Sequence, residues 1–142
     1  MLKAFKKKMK DQRGLTLVEL LAVIVILGII AAIAVPSIGN VIEKSKADAI
    51  KAEALQILDG ARLYSIETPI TETGIDQAKL EPKYLDSTDN FENYTVKYVG
   101  NELLFSGTSK DGSVILTFKD ASKDDINKDS RSGSRTIPAP KE

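Results

Sequence analysis

The side chains with the clearest chemical consequence lie near the amino terminus. Gly14 ends a basic segment, and Glu19 follows it at the start of an apolar stretch, in which residues 20–35 carry no polar side chain. An unpaired carboxylate in such a setting costs several kcal/mol unless a positive group meets it. We therefore interpret Glu19 as a functional residue that needs a cationic partner. If the apolar stretch crosses a membrane, the alternative is that Glu19, near the end of the stretch, reaches the polar surface of the membrane.

The composition restricts the chemistry that the chain can perform. Its 142 residues include no cysteine and no histidine. These absences exclude disulfides, thiolate nucleophiles, imidazole bases and metal sites built on sulfur or imidazole. No convincing pair of catalytic carboxylates stands out in the loops. The sequence therefore predicts a protein that is not an enzyme.

A formal net charge of zero hides an uneven distribution of charge. Residues 1–14 carry six basic side chains and one acid, whereas residues 15–142 carry 14 basic and 19 acidic side chains. The longer part is thus mildly acidic and offers no evident nucleic-acid site. The six basic residues are Lys3, Lys6, Lys7, Lys8, Lys10 and Arg13.

The apolar stretch predicts a membrane-spanning helix. A helix over residues 15–38 is roughly 36 Å long, and a hydrocarbon core is about 30 Å thick. The basic flank predicts an amino terminus in the cytoplasm and a carboxy-terminal part outside. Two alternatives are a buried core helix and a secretory signal peptide cut just before Val35, although the helical pattern continues past that residue.

Residues 14–24, Gly-Leu-Thr-Leu-Val-Glu-Leu-Leu-Ala-Val-Ile, follow a short lysine-rich leader. This arrangement closely resembles the class III signal of type IV pilins and pseudopilins, and the resemblance extends from Met1 to about Ser65. It implies that a membrane aspartyl peptidase cuts between Gly14 and Leu15 and methylates the new amino terminus. Leu15 stands where most members of the family have phenylalanine.

Cleavage after Gly14 would supply the partner that Glu19 needs. The new α-amine has a reference pKa of about 8 and is largely cationic at neutral pH. It belongs either to the same subunit or to a neighbouring one. The resemblance implies that Glu19 recruits or registers an incoming subunit through this pair.

The resemblance also implies a function, partners and a location. The chain would be a prepilin, a structural subunit that polymerises through its amino-terminal helix into a type IV pilus-like filament. Its homo-oligomer would depend on a prepilin peptidase, an assembly platform and an ATPase. The precursor would cross the cytoplasmic membrane once, and the filament would lie at the cell surface. The alternative within the family is a major pseudopilin of a type II secretion or competence DNA-uptake system.

Two further residues of the span are candidates for assembly. Pro36 removes the hydrogen bond to the carbonyl of Ala32, and Gly28 lowers helix preference by about 1 kcal/mol. We expect a bend near Pro36. Gly28 and the neighbouring alanines also permit close approach of another helix.

The remaining sequence predicts an α+β fold. An amphipathic stripe from Ile50 to Tyr64 extends the helix to about Ile66, and Thr68-Pro69 ends it. We expect the second half of the helix to pack on a small three-stranded antiparallel sheet, with one helical turn before it at Asp76–Leu80. The predicted strands are Tyr94–Val99, Glu102–Ser106 and Ser113–Phe118, with a hairpin turn at Gly100-Asn101. The predicted regions are a cleaved leader 1–14, a span or filament-core helix 15–40, a globular domain 41–118 and a flexible tail 119–142.

The tail contains an incomplete calcium pattern. Asp125, Asn127 and Asp129 match the D-x-N-x-D start of a calcium loop, but Ser130 and Thr136 replace the glycine and the glutamate of that loop. The resemblance adds that some major pseudopilins hold calcium in this region. The competing interpretation is a solvated run of charges. We therefore predict no cofactor and keep calcium only as a candidate ligand.

The cleavage hypothesis predicts the amino terminus of the mature protein. Protein sheared from the cell surface should begin at Leu15 and carry one extra methyl group, as intact mass and amino-terminal sequencing would show. A start at Val35 would instead identify a discarded signal peptide. Retention of Met1 would indicate a simple anchor or an unprocessed precursor.

Overall fold

The computed structural model describes the backbone of residues 2–110 and 112–138, and within them the side chains from Thr16 onward. The described chain comprises three helices and five strands, and it divides into two units, residues 1–41 and residues 42–142. The elements are α1 (Leu2–Glu67), β1 (Ile75–Asp76), α2 (Gln77–Leu80), β2 (Phe91–Val99), β3 (Glu102–Ser109), β4 (Leu116–Ala121), α3 (Lys123–Lys128) and β5 (Arg135–Ile137).

Helix α1 confirms the long helix expected from the sequence. It begins at Leu2, so residues 2–14 of the predicted leader continue the same helix. Pro36 lies inside α1 without ending it, and the bend expected there stays a prediction. At the other end the N–H of Thr68 donates to the carbonyl of Tyr64 at 2.9 Å. Pro69 has no N–H to continue this pattern, which explains the end of the helix.

The five strands form one mixed sheet in the order β1-β2-β3-β4-β5. The first three pairs are antiparallel, whereas β4 and β5 run parallel. The α+β class is therefore confirmed, but the three-stranded antiparallel sheet is wrong, because the sheet has five strands and is mixed. The three predicted strands correspond to β2, β3 and β4. The last of them begins at Leu116 rather than Ser113 and extends beyond Phe118.

The hairpin turn between β2 and β3 lies at Gly100-Asn101, as the sequence predicts. Val99 pairs with Glu102 across the turn, and Gly100 has a φ of +62°, a conformation that glycine adopts without steric cost. Further along the hairpin, Val96 is paired with Phe105, and both side chains are fully buried. The alternation of apolar and polar residues thus sets the register.

The expected flexible tail is wrong for residues 119–138. Helix α3 begins with a capping box, in which the Ser122 hydroxyl accepts from the Asp125 N–H at 3.1 Å and the Asp125 carboxylate accepts from the Ser122 N–H at 2.9 Å. Ile126 and Ile137 are buried in the core. A crossover is needed to bring β5 parallel to β4, and it contains α3. Two isolated isoleucines in a charged segment gave too weak a pattern to predict this packing. The expected tail residues 139–142 lie outside the described residues.

One hydrophobic cluster joins the second half of α1 to the sheet. Its centre is a group of three phenylalanines, Phe91, Phe105 and Phe118. Ring centroids are 5.2 Å apart for Phe91 and Phe105, 5.2 Å for Phe105 and Phe118, and 5.8 Å for Phe91 and Phe118, all in edge-to-face geometry. Such pairs add to the stabilisation from burial alone. The helix contributes Ala47, Ile50, Ala54, Ile57, Leu58 and Ala61.

Removal of the central ring should destabilise this unit strongly. We expect Phe105→Ala to lower the free energy of unfolding by about 3–5 kcal/mol, because the side chain is fully buried and touches both other rings. Unfolding followed by near-ultraviolet circular dichroism, which reports aromatic packing, would measure the change. Val99→Ala is the control, since Val99 is 44% exposed. Equal losses from the two variants would contradict this account of the core.

Candidate assembly site

The sequence-predicted processing residues lie on helix α1. Gly14 and Leu15 are part of its backbone, and Glu19 follows one turn after Leu15. The Glu19 side chain is exposed. No ion pair involves Glu19 among the side chains of residues 16–110 and 112–138. The carboxylate is thus presented at the surface of the helix, where an external cation can reach it.

Glu19 lies within an apolar segment, which we define as residues 17–42. Its large apolar side chains are about half to nearly three-quarters exposed, from 49% at Ile42 to 71% at Ile33. A stretch of 18 residues in the helix has a mean hydropathy of 3.0, and none of it is buried among the residues that the structure describes. By length and composition the helix can cross a membrane. A soluble core helix would be covered by its own protein, so the buried-core alternative does not fit.

Gly28 and Pro36 both lie in this segment. A Cβ atom added at Gly28 would meet no atom of the described residues within 4 Å. These residues therefore give no steric reason for a glycine at this position. The apolar surroundings and the lack of a side chain fit close approach by a partner helix.

Two carboxylates that no sequence motif marks, Glu81 and Glu53, hold the loop before β2. Glu81 accepts from the Thr88 N–H at 3.2 Å and from the Thr88 hydroxyl at 3.0 Å. Glu53 accepts from the Asn90 N–H at 3.0 Å. Burial, followed by the nearby Glu81 charge, raises the pKa of the Tyr94 hydroxyl. These groups are engaged in positioning the loop on α1 and the sheet. Their partners are distant in sequence, so spacing alone could not reveal them.

A second unpredicted group surrounds Asp129. This side chain is only 3% exposed, and Arg131 and Arg135 donate to its two carboxylate oxygens. Burial alone would raise the pKa of Asp129, but the hydrogen bonds from the two guanidinium groups hold it below its usual range. The alternating charges of residues 124–135 were the available signal. They suggested solvated side chains because their partners were unknown.

The three calcium candidates do not form a common ligand set in this structure. The Asp125 carboxylate takes part in the capping box, both oxygens of Asp129 accept from arginines, and Asn127 is exposed. Among the described residues, no group of three or more acidic side chains is arranged to hold a metal ion. The residues present therefore do not fit calcium. The absence of a cofactor stays a prediction, with calcium as the candidate ligand.

Comparison with known proteins identifies the family. A family model described as the prokaryotic N-terminal methylation motif matches residues 9–35. A fimbrial protein of Pseudomonas aeruginosa is 35% identical over 123 residues, which cover 75% of this chain and 79% of that protein. Core protein G of the type II secretion system is 37% identical over 82 residues in Vibrio cholerae, 54% of each chain. The Klebsiella pneumoniae protein of that name is 44% identical over 73 residues, 47% of this chain and 50% of the relative. No solved structure gives a significant match. The apolar segment, its glutamate and these relatives together show that the chain belongs to the type IV pilin and pseudopilin family.

Proposed function

We propose that the chain is the precursor of a structural filament subunit that assembles through the apolar segment. The observation that carries the proposal is the exposure of this segment in a chain that is 35% identical to a fimbrial protein. Lipid covers the segment while the precursor is in the membrane, and the same side chains contact helices of other copies in the filament. One apolar surface thus serves both states. The proposed activity is assembly rather than catalysis.

The proposed maturation begins at the cytoplasmic face of the membrane. The basic leader stays inside, because lysine and arginine close to a span resist translocation. A prepilin peptidase cuts between Gly14 and Leu15 and methylates Leu15. The methylation motif at residues 9–35 supports this step. Removal of the leader also takes away six basic residues that would repel one another in a packed filament core.

The new amino terminus then pairs with Glu19. The two groups are four residues apart on one helix, so either the same subunit or the next one along the filament can supply the amine. If the pair forms between subunits, the ammonium and the carboxylate compensate each other's charge within an apolar interface. A buried ion pair adds little dependable stability, but it can fix how two helices align. We therefore propose that Glu19 aligns the incoming subunit.

A pseudopilin of a type II secretion system is the second candidate. Two core G proteins of that system, at 37% and 44% identity, favour it. Their alignments cover only about half of this chain, whereas the fimbrial protein aligns over 75% of it. The longer alignment favours the pilus. Under either function an assembly platform and an ATPase would be the partners that extract the subunit from the membrane.

A bulky residue at the cleavage site should block maturation. We expect Gly14→Trp to leave the full-length precursor in the membrane, because the peptidase would meet an indole where it now meets no side chain. Immunoblotting of membranes would show the larger precursor in place of the processed form. Gly39→Trp is the matched control, since that glycine lies in the same helix with open space around it. Normal processing of Gly14→Trp would rule out the proposed cut.

Loss of the Glu19 charge should impair filament assembly but leave membrane insertion intact. We expect Glu19→Leu to insert into the membrane and to be processed, but to yield at least tenfold fewer surface filaments, because about 1.4 kcal/mol of lost pairing already changes an equilibrium tenfold. Quantitative immunoblotting of sheared filaments and electron microscopy would measure the change. Glu43→Leu provides the matched control outside the apolar segment. Wild-type filament yield from Glu19→Leu would exclude the aligning role and favour a solitary anchor.

A further inference from the structure

The carboxylate of Asp129 is held by two arginines in the carboxy-terminal part of the chain. Arg135 donates to Oδ2 from Nε at 2.7 Å and from Nη2 at 2.5 Å, and Arg131 donates to Oδ1 from Nε at 2.7 Å. The side chains of Asp129 and Arg135 are 3% and 7% exposed. Charge-assisted bonds of this kind are strong, and Arg135 directs two N–H groups at the same oxygen, Oδ2. We call Asp129, Arg131 and Arg135 the arginine clamp.

The clamp also ties the chain around it. The carbonyl of Asp129 accepts from the Lys51 ammonium at 2.8 Å, which connects the clamp to helix α1. Arg131 donates to the carbonyl of Thr136 at 2.8 Å, and Arg135 donates to the carbonyl of Gly133 at 2.6 Å. The loop between α3 and β5 is thus closed on itself and attached to the helix. These contacts place β5 beside β4.

We propose that the two guanidinium groups take the place of a divalent cation in the D-x-N-x-D segment, so that the carboxy-terminal part of the domain folds without calcium. A calcium loop needs six to eight oxygens at 2.3–2.6 Å from one ion. Both carboxylate oxygens of Asp129 already accept from guanidinium groups, and the Asp125 carboxylate accepts from Ser122. A calcium ion at Asp129 would therefore have to break the clamp and would lie next to two fixed positive charges.

The charges of the clamp are consistent with this role. The two arginines supply two positive groups to one buried carboxylate, so the carboxylate is not short of positive charge. Lys51 donates to the backbone carbonyl of Asp129 and forms its own ion pair with Asp48. Arginine stays protonated throughout the accessible pH range, and its planar fork matches a carboxylate in a way that lysine does not. Loss of one arginine would leave part of a buried negative charge without a partner. The two arginines, rather than a bound calcium ion, thus compensate the charge of Asp129 and stabilise this region.

Calcium dependence of thermal stability tests the proposal directly. The full chain, purified in detergent, would be melted in excess EDTA and in millimolar calcium chloride, with the midpoint read by near-ultraviolet circular dichroism. We expect the same midpoint temperature of thermal unfolding in EDTA and in calcium chloride. A rise of several degrees in calcium would overturn the proposal, because it would show that the folded protein binds the ion.

Substitution of the clamp tests its contribution separately. We expect Arg135→Gln to lower the midpoint by about 10 °C or more, because it breaks a buried charge pair. Added calcium should not restore the midpoint. Lys128→Gln is the matched control, since Lys128 and its partner Asp124 are 77% and 71% exposed and should contribute little. An unchanged midpoint for Arg135→Gln, or its recovery in calcium, would overturn the proposal.

A milder variant is available if Arg135→Gln does not fold. The Arg131 side chain is 42% exposed, so Arg131→Gln should weaken the clamp without exposing the core. Hydrogen exchange at Ile137 should then become faster while exchange at Val96, in the middle of the sheet, stays unchanged. Equal protection of Ile137 in the variant and the wild type would show that the clamp does not hold β5.

Discussion

The apolar segment of helix α1 is not covered by the part of the chain that the structure describes, so something else must keep it out of water. Most of the protein's organisation follows from that requirement. Sixteen large apolar side chains between Leu17 and Ile42 are roughly half exposed or more. Burial of one such side chain is worth roughly 1.5–3 kcal/mol. Together they strongly favour lipid or other helices over water as the surroundings of this segment. This preference suits a subunit that leaves the membrane for a filament.

The charged residues near the amino terminus make sense under the same requirement. A basic leader sets the orientation of a membrane span but would be costly inside a packed filament core. In the proposed maturation, removal of the leader leaves one amine, which Glu19 would neutralise. The proposed cleavage thus converts a segment adapted to the membrane into one adapted to self-association. Only one peptide bond has to be broken for this change.

The described residues after Ile42 meet the opposite requirement, since most of their large apolar side chains are buried in one cluster. The three phenylalanines and the stripe of α1 form one cluster, and Ile126 and Ile137 complete it from the carboxy-terminal segment. Polar contacts hold the segments around this cluster. Glu53 and Glu81 hold the loop before β2, and the arginine clamp holds the loop after α3. A unit closed in this way can be displayed on the outside of a filament while the apolar segment makes the contacts between subunits.

The sequence by itself determined the features that rest on local periodicity or on a short linear signal. Sixteen consecutive residues without a polar side chain specify a span, the three-and-four spacing after Val41 specifies an amphipathic helix, and Gly100-Asn101 specifies a hairpin, because each depends only on neighbours in the chain. Tertiary structure decided the rest. Strand β5 exists because Ile137 reaches the core and because Asp129, which lies 78 residues after Lys51, finds that lysine and two arginines as partners. Charges in a polar segment look the same in sequence whether water or a distant side chain surrounds them, and only the fold brings those partners within hydrogen-bonding distance.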